Sequence, residues 1–379
     1  DYAVIGKGMI GSAAARYLSK TSNAVVLIGP DEPMGDWATH DGVFASHYDQ
    51  GRVTRCMDGS LAWALWATRS IAAYPEIEAQ SGIQFHYRSG GVHVGYNSAD
   101  PASNLNRVER IAHQLGTADD RYTSEAFRKG HPQYHFDDGL IVLHETGEAG
   151  YINPRSLVAA QVKIAEAQGA DVVRETVMEI DTKGEGVTLT TNGGQTIRAK
   201  RVLVAAGAWT EYLTGAELGI LPTPRTITLA QIDSAETERL KNMPTIIWQE
   251  GLDNPDIEYI YVLPPIEYPD GNTYIKLGGS LRQNRLPQSA RELNRWFQGS
   301  GSSVEARALE HELRRVIPGL RTESVHSRTC VVTRRADENL PLVKPIVAGK
   351  VMVATAGCGA AAKSSDEIGR LAALQLKKL

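Results

Sequence analysis

Three glycines near the start of the chain have the spacing of a phosphate-binding turn. Residues 6–11 read Gly-Lys-Gly-Met-Ile-Gly, which matches the pattern GxGxxG. Glycines at these positions let the backbone turn tightly and approach a pyrophosphate at a helix N-terminus, where unpaired N–H groups favour negative charge. An apolar run precedes the motif at Tyr2–Ile5, and a helix-like run follows it at Ser12–Leu18. This context predicts a dinucleotide-binding site.

The acidic residue that usually holds the ribose in such a site is missing from its expected place. It would stand near residue 29, after the second apolar run Ala24–Ile28, but the chain has Gly29 and Pro30 there. Asp31 and Glu32 follow directly. Either carboxylate is a candidate for the ribose, and a different kind of ribose contact is the alternative.

A second segment of small residues lies far along the chain. At 201–210 a predicted strand runs into Ala206, Gly207 and Ala208. Small residues at such a turn let the backbone pass close to a bound cofactor. Because this turn follows a strand predicted at Val172–Val177, in a chain that opens with GxGxxG, the combination favours FAD over a nicotinamide cofactor.

Capping residues and prolines mark the helices that carry these motifs. The helix that begins at Leu61 is expected to end before Pro75. Asn153 is expected to cap a later helix, with Pro154 in its first turn. The predicted helices cover residues 12–18, 61–74, 154–169, 304–317 and 364–373.

The predicted strands divide the chain into two kinds of sheet. The N-terminal part alternates strands with helices, which is typical of a doubly wound sheet, whereas residues 222–281 read as strands without helices between them. Gly193 and Gly194 are expected to turn the chain between the strands at 187–191 and 201–205. The predicted strands cover residues 2–5, 24–28, 172–177, 187–191, 201–205, 245–250, 258–263 and 272–277.

The predicted fold class is α/β, with an FAD-binding Rossmann-like domain of the glutathione-reductase type and a second α+β domain that contains a large mixed or antiparallel sheet. A chain of 379 residues with 42% hydrophobic residues exceeds what one core usually holds. The first domain is expected to be discontinuous, with segments 1–83, 149–215 and 325–379. The second, substrate-binding domain is expected to comprise residues 84–148 and 216–324.

Charge and cysteine content argue against several function classes. The chain has 40 basic and 44 acidic residues, a net charge of −4 and no basic block, which argues against nucleic-acid binding. Cys56, Cys330 and Cys358 form neither a CxxC pair nor a disulfide framework, so we expect no metal site and a reducing compartment, the cytoplasm. No apolar run reaches the roughly 18–20 residues that span a bilayer, and the first residues predict a strand instead of a signal peptide.

Further segments combine with the glycine motif in a distinctive order. They are the Ala-Gly-Ala-Trp turn, the pair Arg52 and Arg55, the strand Tyr274–Gly278, and Cys330 followed seven residues later by Asp337-Glu338. In this order they resemble the D-amino-acid oxidase superfamily of FAD-dependent oxidoreductases, in the branch of monomeric sarcosine oxidase, N-methyltryptophan oxidase and glycine oxidase. The resemblance covers nearly the whole chain. It implies an enzyme that binds FAD, acts on a small molecule and, by analogy, is a monomer.

The resemblance assigns roles to four residues. Arg52 corresponds to an arginine that lies against the flavin, and Arg55 to one that pairs with the substrate carboxylate. A planar guanidinium suits a carboxylate because it donates two parallel hydrogen bonds. Lys276 corresponds to a lysine beside the flavin that promotes its reaction with dioxygen. Cys330 corresponds to the point of covalent flavin attachment through a thioether, and a buried free thiol is the alternative for it.

The greatest departure from the family pattern lies at residues 357–363. The family has a Gly-aromatic or Gly-His cluster there, before a Lys or Arg that gives the substrate carboxylate its second contact, whereas this chain has alanines and additional residues. Lys363 is the candidate for that contact. Cys358 stands where a histidine is expected, which suggests a roomier or differently shaped pocket. The helix that follows from Ser364 is expected to point its N-terminus toward the flavin.

The site residues expected from the motifs and the resemblance form two overlapping sets. His47 and Tyr261 are included as candidates to hydrogen-bond the substrate, and a packing or surface role is the alternative for both. The residues expected to act in catalysis are Lys276, Arg55, Arg52, Lys363, Tyr261 and His47. The residues expected to contact the cofactor are Gly6, Gly8, Met9, Ile10, Gly11, Asp31, Arg52, Val177, Ala206, Gly207, Trp209, Cys330, Gly357, Gly359, Ala360 and Lys363.

Two reactions are compatible with this pattern. The first is oxidation of the C–N bond of a small carboxylate-bearing amine, secondary or N-substituted, by hydride transfer to flavin N5 and reoxidation by dioxygen. The alternative is dehydrogenation of a hydroxy acid or polyol phosphate, similar to glycerol-3-phosphate dehydrogenase, with another electron acceptor. Lys276 favours the first, and the altered segment 357–363 favours the second. Nothing in the sequence supports a third hypothesis, a flavin-binding protein without turnover.

Overall fold

Two large sheets organise the chain in a computed structural model that describes residues 1–117, 120–252, 254–282 and 285–379. The strands are β1 (Tyr2–Ile5), β2 (Val25–Ile28), β3 (Arg52–Thr54), β4 (His86–Tyr87), β5 (Gly91–Tyr96), β6 (Asp120–Thr123), β7 (Leu140–Glu145), β8 (Gly150–Ile152), β9 (Asp171–Val173), β10 (Val177–Asp181), β11 (Val187–Thr191), β12 (Thr196–Ala199), β13 (Arg201–Val204), β14 (Ile220–Ile232), β15 (Thr245–Trp248), β16 (Ile257–Glu267), β17 (Thr273–Leu281), β18 (Ser324–Arg335), β19 (Leu342–Val347) and β20 (Val351–Thr355).

Ten helices connect these strands in the described ranges, with 3-10 turns at Trp37–Thr39, Gly207–Trp209 and Ala362–Ser364. The helices are α1 (Met9–Ser19), α2 (Leu61–Ser81), α3 (Asn104–Leu115), α4 (Ser124–Gly130), α5 (Pro154–Ala167), α6 (Thr210–Thr214), α7 (Ser234–Leu240), α8 (Ala290–Gln298), α9 (Ser303–Val316) and α10 (Ser365–Lys378). In the part of the chain that the structure describes, none of them combines the length and the apolar character that crossing a membrane requires.

The first large sheet has the strand order β19-β20-β13-β1-β2-β9. Its strands are parallel except for β19, which lies antiparallel at one edge. On one face α1, α5 and α10 bury apolar side chains such as Leu18, Val158 and Leu376 against it, and the strands β10 to β12 cover the other face. A parallel sheet covered on both faces is the predicted Rossmann-like arrangement.

The second large sheet has the strand order β18-β14-β17-β16-β15-β5-β7-β6. Its neighbours are antiparallel apart from β15 and β5, so the sheet is mixed, as predicted. The core behind it contains Trp248, Phe136 and the apolar face of α9, including Leu309 and Leu313. The predicted fold class, with a Rossmann-like part and a part built on a large mixed sheet, is therefore confirmed.

Two of the predicted element boundaries are wrong. The helix α2 does not end before Pro75 but continues through it to Ser81. Proline costs this helix one backbone hydrogen bond, yet Ile71, Tyr74 and Ile77 keep one face of it packed in a continuous core, and that packing outweighs the loss. The strand predicted at Val172–Val177 is two strands, because β9 pairs with β2 in the large sheet whereas β10 pairs with β11 in a separate one.

Two connections also differ from the predictions. The turn at Gly194 leads from β11 into β12, a strand that the sequence pattern did not indicate, and β13 follows only after it. Residues 222–281 contain the helix α7, capped by the Asp233 side chain, so this region is not free of helices. Both features are short polar segments, whose conformation depends on a cap or a pairing partner more than on apolar periodicity.

The division into two domains stays a proposal, and the strand pairing refines it. The six-stranded sheet takes its strands from segments 2–28, 171–173, 201–204 and 342–355. The strand β18, which begins the last segment expected for the cofactor domain, pairs with β14 over its whole length in the other sheet. We therefore place the third segment of the cofactor domain after β18.

Candidate active site

A deep cavity of about 1120 Å³ lies between the two sheets. Residues at the carboxyl ends of β1, β2, β13 and β20 line one side, and Ile227, Tyr259 and Tyr261 of the mixed sheet line the other. Ligands of doubly wound folds bind in the crevice outside the carboxyl ends of the strands. The cavity is therefore where the fold is expected to hold both a cofactor and a substrate.

The glycine motif forms a cradle in which two of the three glycine positions admit no side chain. A Cβ atom on Gly6, which has φ +107°, would lie 2.3 Å from the carbonyl oxygen of Ala205, and one on Gly11 would lie 1.9 Å from the carbonyl oxygen of Gly6. Gly8 has open space on the cavity side, where the nearest atom to a Cβ would be Nδ1 of His47 at 3.8 Å. The first turn of α1 begins directly after it, so the cradle fits a pyrophosphate.

The two acidic candidates for the ribose do not line the cavity. Asp31 forms an ion pair with Lys7 and lies 3.6 Å from Arg174. Glu32 receives two hydrogen bonds of 2.6 Å from the guanidinium of Arg155. Gly29 and the following proline line the cavity instead, so the end of β2 presents backbone there.

The Ala-Gly-Ala-Trp turn brings backbone to the cavity on the other side of β1. Gly207 has φ +56°, a conformation that disfavours a side chain with a Cβ atom. The indole N–H of Trp209 donates to the carbonyl oxygen of Phe44 at 2.8 Å, which fixes the ring at the cavity wall. This geometry agrees with the small-residue turn that the sequence indicated.

Most of the predicted site residues meet at this cavity, and four do not. The residues that line it are Gly6, Gly8, Met9, Ile10, His47, Arg52, Arg55, Val177, Ala206, Gly207, Trp209, Tyr261, Cys330, Gly357, Gly359 and Ala360. Among the described residues, the four predicted ones that do not line it are Gly11, Asp31, Lys276 and Lys363.

Arg52 belongs to a charge cluster that we call the Asp49 cluster, formed by Asp49, Arg52 and Lys276. Asp49 is 3% exposed and pairs with both cations. Its other oxygen accepts from the Tyr268 hydroxyl at 2.9 Å. The Arg52 guanidinium also donates to the Ser46 carbonyl at 2.7 Å and lies 3.5 Å from the Cys330 sulfur. Of the three charged groups, only Arg52 lines the main cavity.

Lys276 is sealed inside this cluster. Its side chain is fully buried, and its Nζ donates to the Gly51 carbonyl at 2.7 Å as well as to Asp49. Burial lowers its pKa well below the ordinary value, and Arg52 adds to that effect, while the Asp49 carboxylate favours the ammonium form. The Nζ lies 5.6 Å from the centre of the Tyr261 ring, and Tyr261 lines the cavity whereas Lys276 does not.

Arg55 belongs to a second cluster, the Asp58 cluster, formed by Arg55, Asp58 and Lys363. Asp58 Oδ2 lies 3.4 Å from the Arg55 guanidinium and 3.1 Å from Lys363 Nζ. Burial by itself raises the pKa of Asp58, but Lys363 and Arg55 outweigh burial and hold that pKa below its usual value. Arg55 and Asp58 line the cavity, whereas Lys363 is 1% exposed and also contacts the Trp63 carbonyl.

Two buried groups hold the segment that carries Arg55 and Asp58. Glu145, at the end of β7, accepts from the backbone N–H groups of residues 56 and 57 at 2.7 and 2.9 Å. Burial raises the pKa of this carboxyl. The Arg55 Nε donates to Nε2 of His93 at 3.1 Å. Burial, and then the charge of Arg55, lowers the pKa of His93 to about 3, so its ring is neutral.

His47 lies at the cofactor end of the cavity, beside the glycine motif. Its ring is mostly buried, and burial followed by the charge of Lys7 lowers its pKa to about 3. Tyr261 also lines the cavity, and its hydroxyl occupies the space that a side chain on Gly278 would need. Burial raises the pKa of Tyr261, so the phenol is neutral.

The comparison with protein families agrees with the geometry. A family model described as DAO, FAD dependent oxidoreductase, matches residues 1–375. The chain belongs to this family. It is therefore an FAD-dependent oxidoreductase, related to amine and amino-acid oxidases, and the cradle of Gly6, Gly8 and Gly11 has the shape that its dinucleotide requires.

Individual relatives cover nearly the full chain at low identity. Monomeric sarcosine oxidase of Streptomyces avermitilis is 26% identical over 98% of this chain and 92% of its own length. N-methyl-L-tryptophan oxidase of Yersinia pestis is 24% identical over 99% of this chain and 94% of its own length. Among solved structures, NikD, an unusual amino acid oxidase essential for nikkomycin biosynthesis, shares 18% identity with a TM-score of 0.77, over 98% of this chain and 92% of that one.

The segment that departs from the family pattern has a strained backbone in this oxidoreductase. Ala356 and Cys358 have φ +59° and +49°, which is unusual for residues with side chains. The N–H of Cys358 donates to the Thr333 carbonyl at 2.9 Å, which holds the turn against β18. Residues 356–362 line the cavity, and the cavity wall ends before α10 begins at Ser365.

Sequence reasoning missed several charged residues of the site, four of which contribute to the arrangement described above. Asp49 and Asp58 stand three residues before Arg52 and three after Arg55, and this regular spacing of four charged residues was a readable signal. Arg225 lines the cavity from the position of β14 that pairs with Cys330 of β18, and its Nε is unpaired. An arginine inside an apolar strand could also have been noticed. Glu145 gave no sequence signal, because its role depends on the distant backbone that it contacts.

Proposed function

We propose that this oxidoreductase oxidises the C–N bond of a small carboxylate-bearing amine, secondary or N-substituted, and passes the electrons to dioxygen. The observation that carries the proposal is the position of Arg55, whose guanidinium faces the same cavity as the glycine cradle, Arg52 and Cys330. The names of the sarcosine and N-methyltryptophan oxidases support it, since both substrates are N-methylated amino acids.

The residues would divide the work along the cavity. When bound, FAD supplies the hydride acceptor. Gly6 and Gly8 would receive its pyrophosphate, and Arg52, held by the Asp49 cluster, would place positive charge beside the ring system. Arg55 would anchor the substrate carboxylate, and Tyr261 would close the wall next to Lys276. Fixing the carboxylate orients the carbon next to nitrogen, which is how positioning lowers the barrier.

Cys330 would attach the flavin covalently. Cys330 lines the cavity, its sulfur lies 3.5 Å from the Arg52 guanidinium, and its carbonyl accepts from the Trp296 indole N–H at 2.9 Å. We expect the flavin colour to stay with the protein after acid precipitation, and to be lost from a Cys330→Ala variant under the same conditions. Release of all flavin from the precipitated wild type would show that the attachment is not covalent.

The visible spectrum of the anaerobic holoenzyme tests the reaction. We expect N-substituted amino acids to bleach the flavin band near 450 nm, and air to restore the colour. Hydroxy acids and polyol phosphates, added to separate samples, should leave the flavin oxidised and its absorption band unbleached. Bleaching by hydroxy acids alone, or failure of air to restore the colour, would contradict the proposal.

One observation favours the second candidate, a dehydrogenase of hydroxy acids or polyol phosphates with another electron acceptor. Lys276, the expected oxygen-activating residue, is buried against Asp49 and does not line the cavity. The positive charge of Lys276 can therefore stabilise the negative charge on a reacting dioxygen only weakly. A dye or quinone that reoxidises the enzyme much faster than air does would support this candidate.

We also propose that the protein acts as a monomer in the cytoplasm, with no nucleic-acid partner. The balanced charge of −4 supports the last point, and the three cysteines without a disulfide fit a reducing compartment. Sedimentation of the holoenzyme tests the oligomeric state, and fractionation of the source cells tests the location.

A further inference from the structure

A cation and an anion face the same part of the cavity, next to each other. Arg55 and Asp58 both line it, with 3.4 Å between the guanidinium and the carboxylate. Lys363 lies behind Asp58, away from the cavity, at 3.1 Å. The surface that a ligand meets is therefore a dipole of opposite charges.

We propose that Asp58 is a specificity-determining residue that binds the substrate nitrogen while Arg55 binds the substrate carboxylate. This inference deepens the proposed function and rests on it. An amino acid carries its carboxylate and its ammonium two bonds apart, so the two groups reach neighbouring atoms of opposite charge at once. The pair thus selects amino acids over carboxylates that lack a nitrogen.

The surroundings of Asp58 keep it an anion. The Lys363 ammonium and the Arg55 guanidinium both lie within 3.4 Å, and the N–H of Ser60 donates to the carboxylate at 3.0 Å. The His93 ring accepts a hydrogen bond from Arg55 without carrying charge. The expected second carboxylate contact, Lys363, thus serves a different purpose, since it compensates the charge of Asp58.

The same pair also distinguishes the two candidate reactions. A hydroxy acid offers Asp58 only a neutral hydroxyl, whereas an amine offers a charged donor, which adds the attraction between opposite charges to the hydrogen bond. A carboxylate that lacks a nitrogen must compete with Asp58 for Arg55, and it offers Asp58 no hydrogen-bond donor. Asp58 therefore disfavours hydroxy acids and favours amines.

The test compares ligands that differ only at the nitrogen. N-methylglycine and methoxyacetate have the same shape, but only the first has a charged N–H donor. Anaerobic mixing with the holoenzyme gives the affinity of each ligand. A ligand that only shifts the flavin band is titrated to equilibrium, and for a ligand that bleaches the band the affinity follows from how the rate of bleaching depends on its concentration. We expect the wild type to bind N-methylglycine at least about 10-fold more tightly, and Asp58→Asn to reduce this ratio about 10-fold or more.

Two variants and the wild type itself keep the test decisive. Asp58→Glu retains the charge and should retain a preference for the amine. Asp138→Asn removes a surface carboxylate that lies 3.0 Å from Arg128 and should leave the ratio unchanged. If Asp58→Asn does not bind flavin, the ratio of the two affinities in the wild type still tests the proposal. Equal affinity for N-methylglycine and methoxyacetate would overturn it.

Failure of this inference is distinguishable from failure of the proposed function. If N-methylglycine binds selectively but no amine reduces the flavin, the role of Asp58 is supported and the proposed reaction is contradicted. Bleaching by amines with a ratio that Asp58→Asn does not change would support the reaction and overturn the role of Asp58.

Discussion

The Asp49 cluster and the Asp58 cluster share one composition but present different surfaces to the cavity. Each joins an arginine and a distant lysine to one aspartate. In the Asp49 cluster the carboxylate is 3% exposed and only the arginine faces the main cavity. In the Asp58 cluster the carboxylate faces the cavity together with the arginine, and the lysine is the hidden member. The Asp49 cluster thus presents a cation to the cavity, and the Asp58 cluster presents a pair of opposite charges.

This difference shows that charge composition alone does not define a binding site. A buried aspartate neutralises part of the charge behind Arg52 and fixes its direction, which suits a group that must favour negative charge on a cofactor. An aspartate at the surface of the cavity becomes part of what the ligand contacts. The role follows from which of the three groups the fold leaves exposed.

The largest expected effect comes from removing the hidden carboxylate. Asp49→Asn leaves Lys276 and Arg52 without their counter-ion, and breaking a buried pair in this way costs about 3–5 kcal/mol. Denaturant unfolding of the holoprotein measures this loss. The double variant Asp49→Asn with Lys276→Met should lose less than Asp49→Asn alone, because no unpaired ammonium stays buried. A loss under about 1 kcal/mol, as expected for the exposed Asp138→Asn, would mean that water reaches the Asp49 cluster.

Arg55→Met should have the next largest effect. It should lower catalytic efficiency and not the free energy of unfolding. Loss of the guanidinium removes a charge-assisted contact to the substrate carboxylate, which corresponds to a decrease of about 100-fold in kcat/KM. Most of it should appear as a higher KM. Arg55→Lys should recover only part of the loss, since an ammonium cannot donate two parallel hydrogen bonds. An unchanged KM would place the substrate carboxylate elsewhere.

Glu145→Gln should weaken the two hydrogen bonds that hold the backbone between Arg55 and Asp58. Within the described part of the chain, the Asp49 cluster has no corresponding contact with Glu145. A carboxamide can accept from one of the two backbone N–H groups, but its NH2 group faces the other donor, so we expect a loss of about 1–3 kcal/mol in unfolding free energy. KM should rise because Arg55 and Asp58 lose their fixed position. Glu148→Gln is the matched control, because that carboxylate pairs with Arg88 at the surface. Equal effects of the two substitutions would contradict the assigned role.

The last expected effect is on the pH dependence of stability, where the slope changes by no more than about 1.4 kcal/mol per pH unit. The pKa of His93 is about 3 in the fold and about 6.5 in an unfolded chain. Between these values the unfolded chain binds the extra proton, so His93 makes stability fall with decreasing pH, by up to about 1.4 kcal/mol per pH unit. In His93→Gln this contribution should disappear, which unfolding curves from pH 7 to pH 4 can measure. The exposed His113→Gln should leave the slope as it is; the same slope in both variants would show that the His93 ring is charged in the fold.

Much of the cofactor half could be predicted from local sequence. The glycine motif, the Ala-Gly-Ala-Trp turn and the short apolar strands are local patterns, because glycine conformation and strand periodicity depend on neighbouring residues. The helix α2 shows the limit of this reasoning. Pro75 predicts an end that the core around Tyr74 and Ile77 overrides.

The sequence by itself determined the family, the fold class, FAD and the residue types of the site, because motifs of fixed spacing carry that information. Only the tertiary structure decided which charged groups meet and which of them face the cavity. Asp58 and Lys363 are 305 positions apart, and Asp49 and Lys276 are 227 apart, so no local pattern relates them. Burial then sets their roles, since the same ion pair is a structural support when sealed and a recognition element when one partner is exposed.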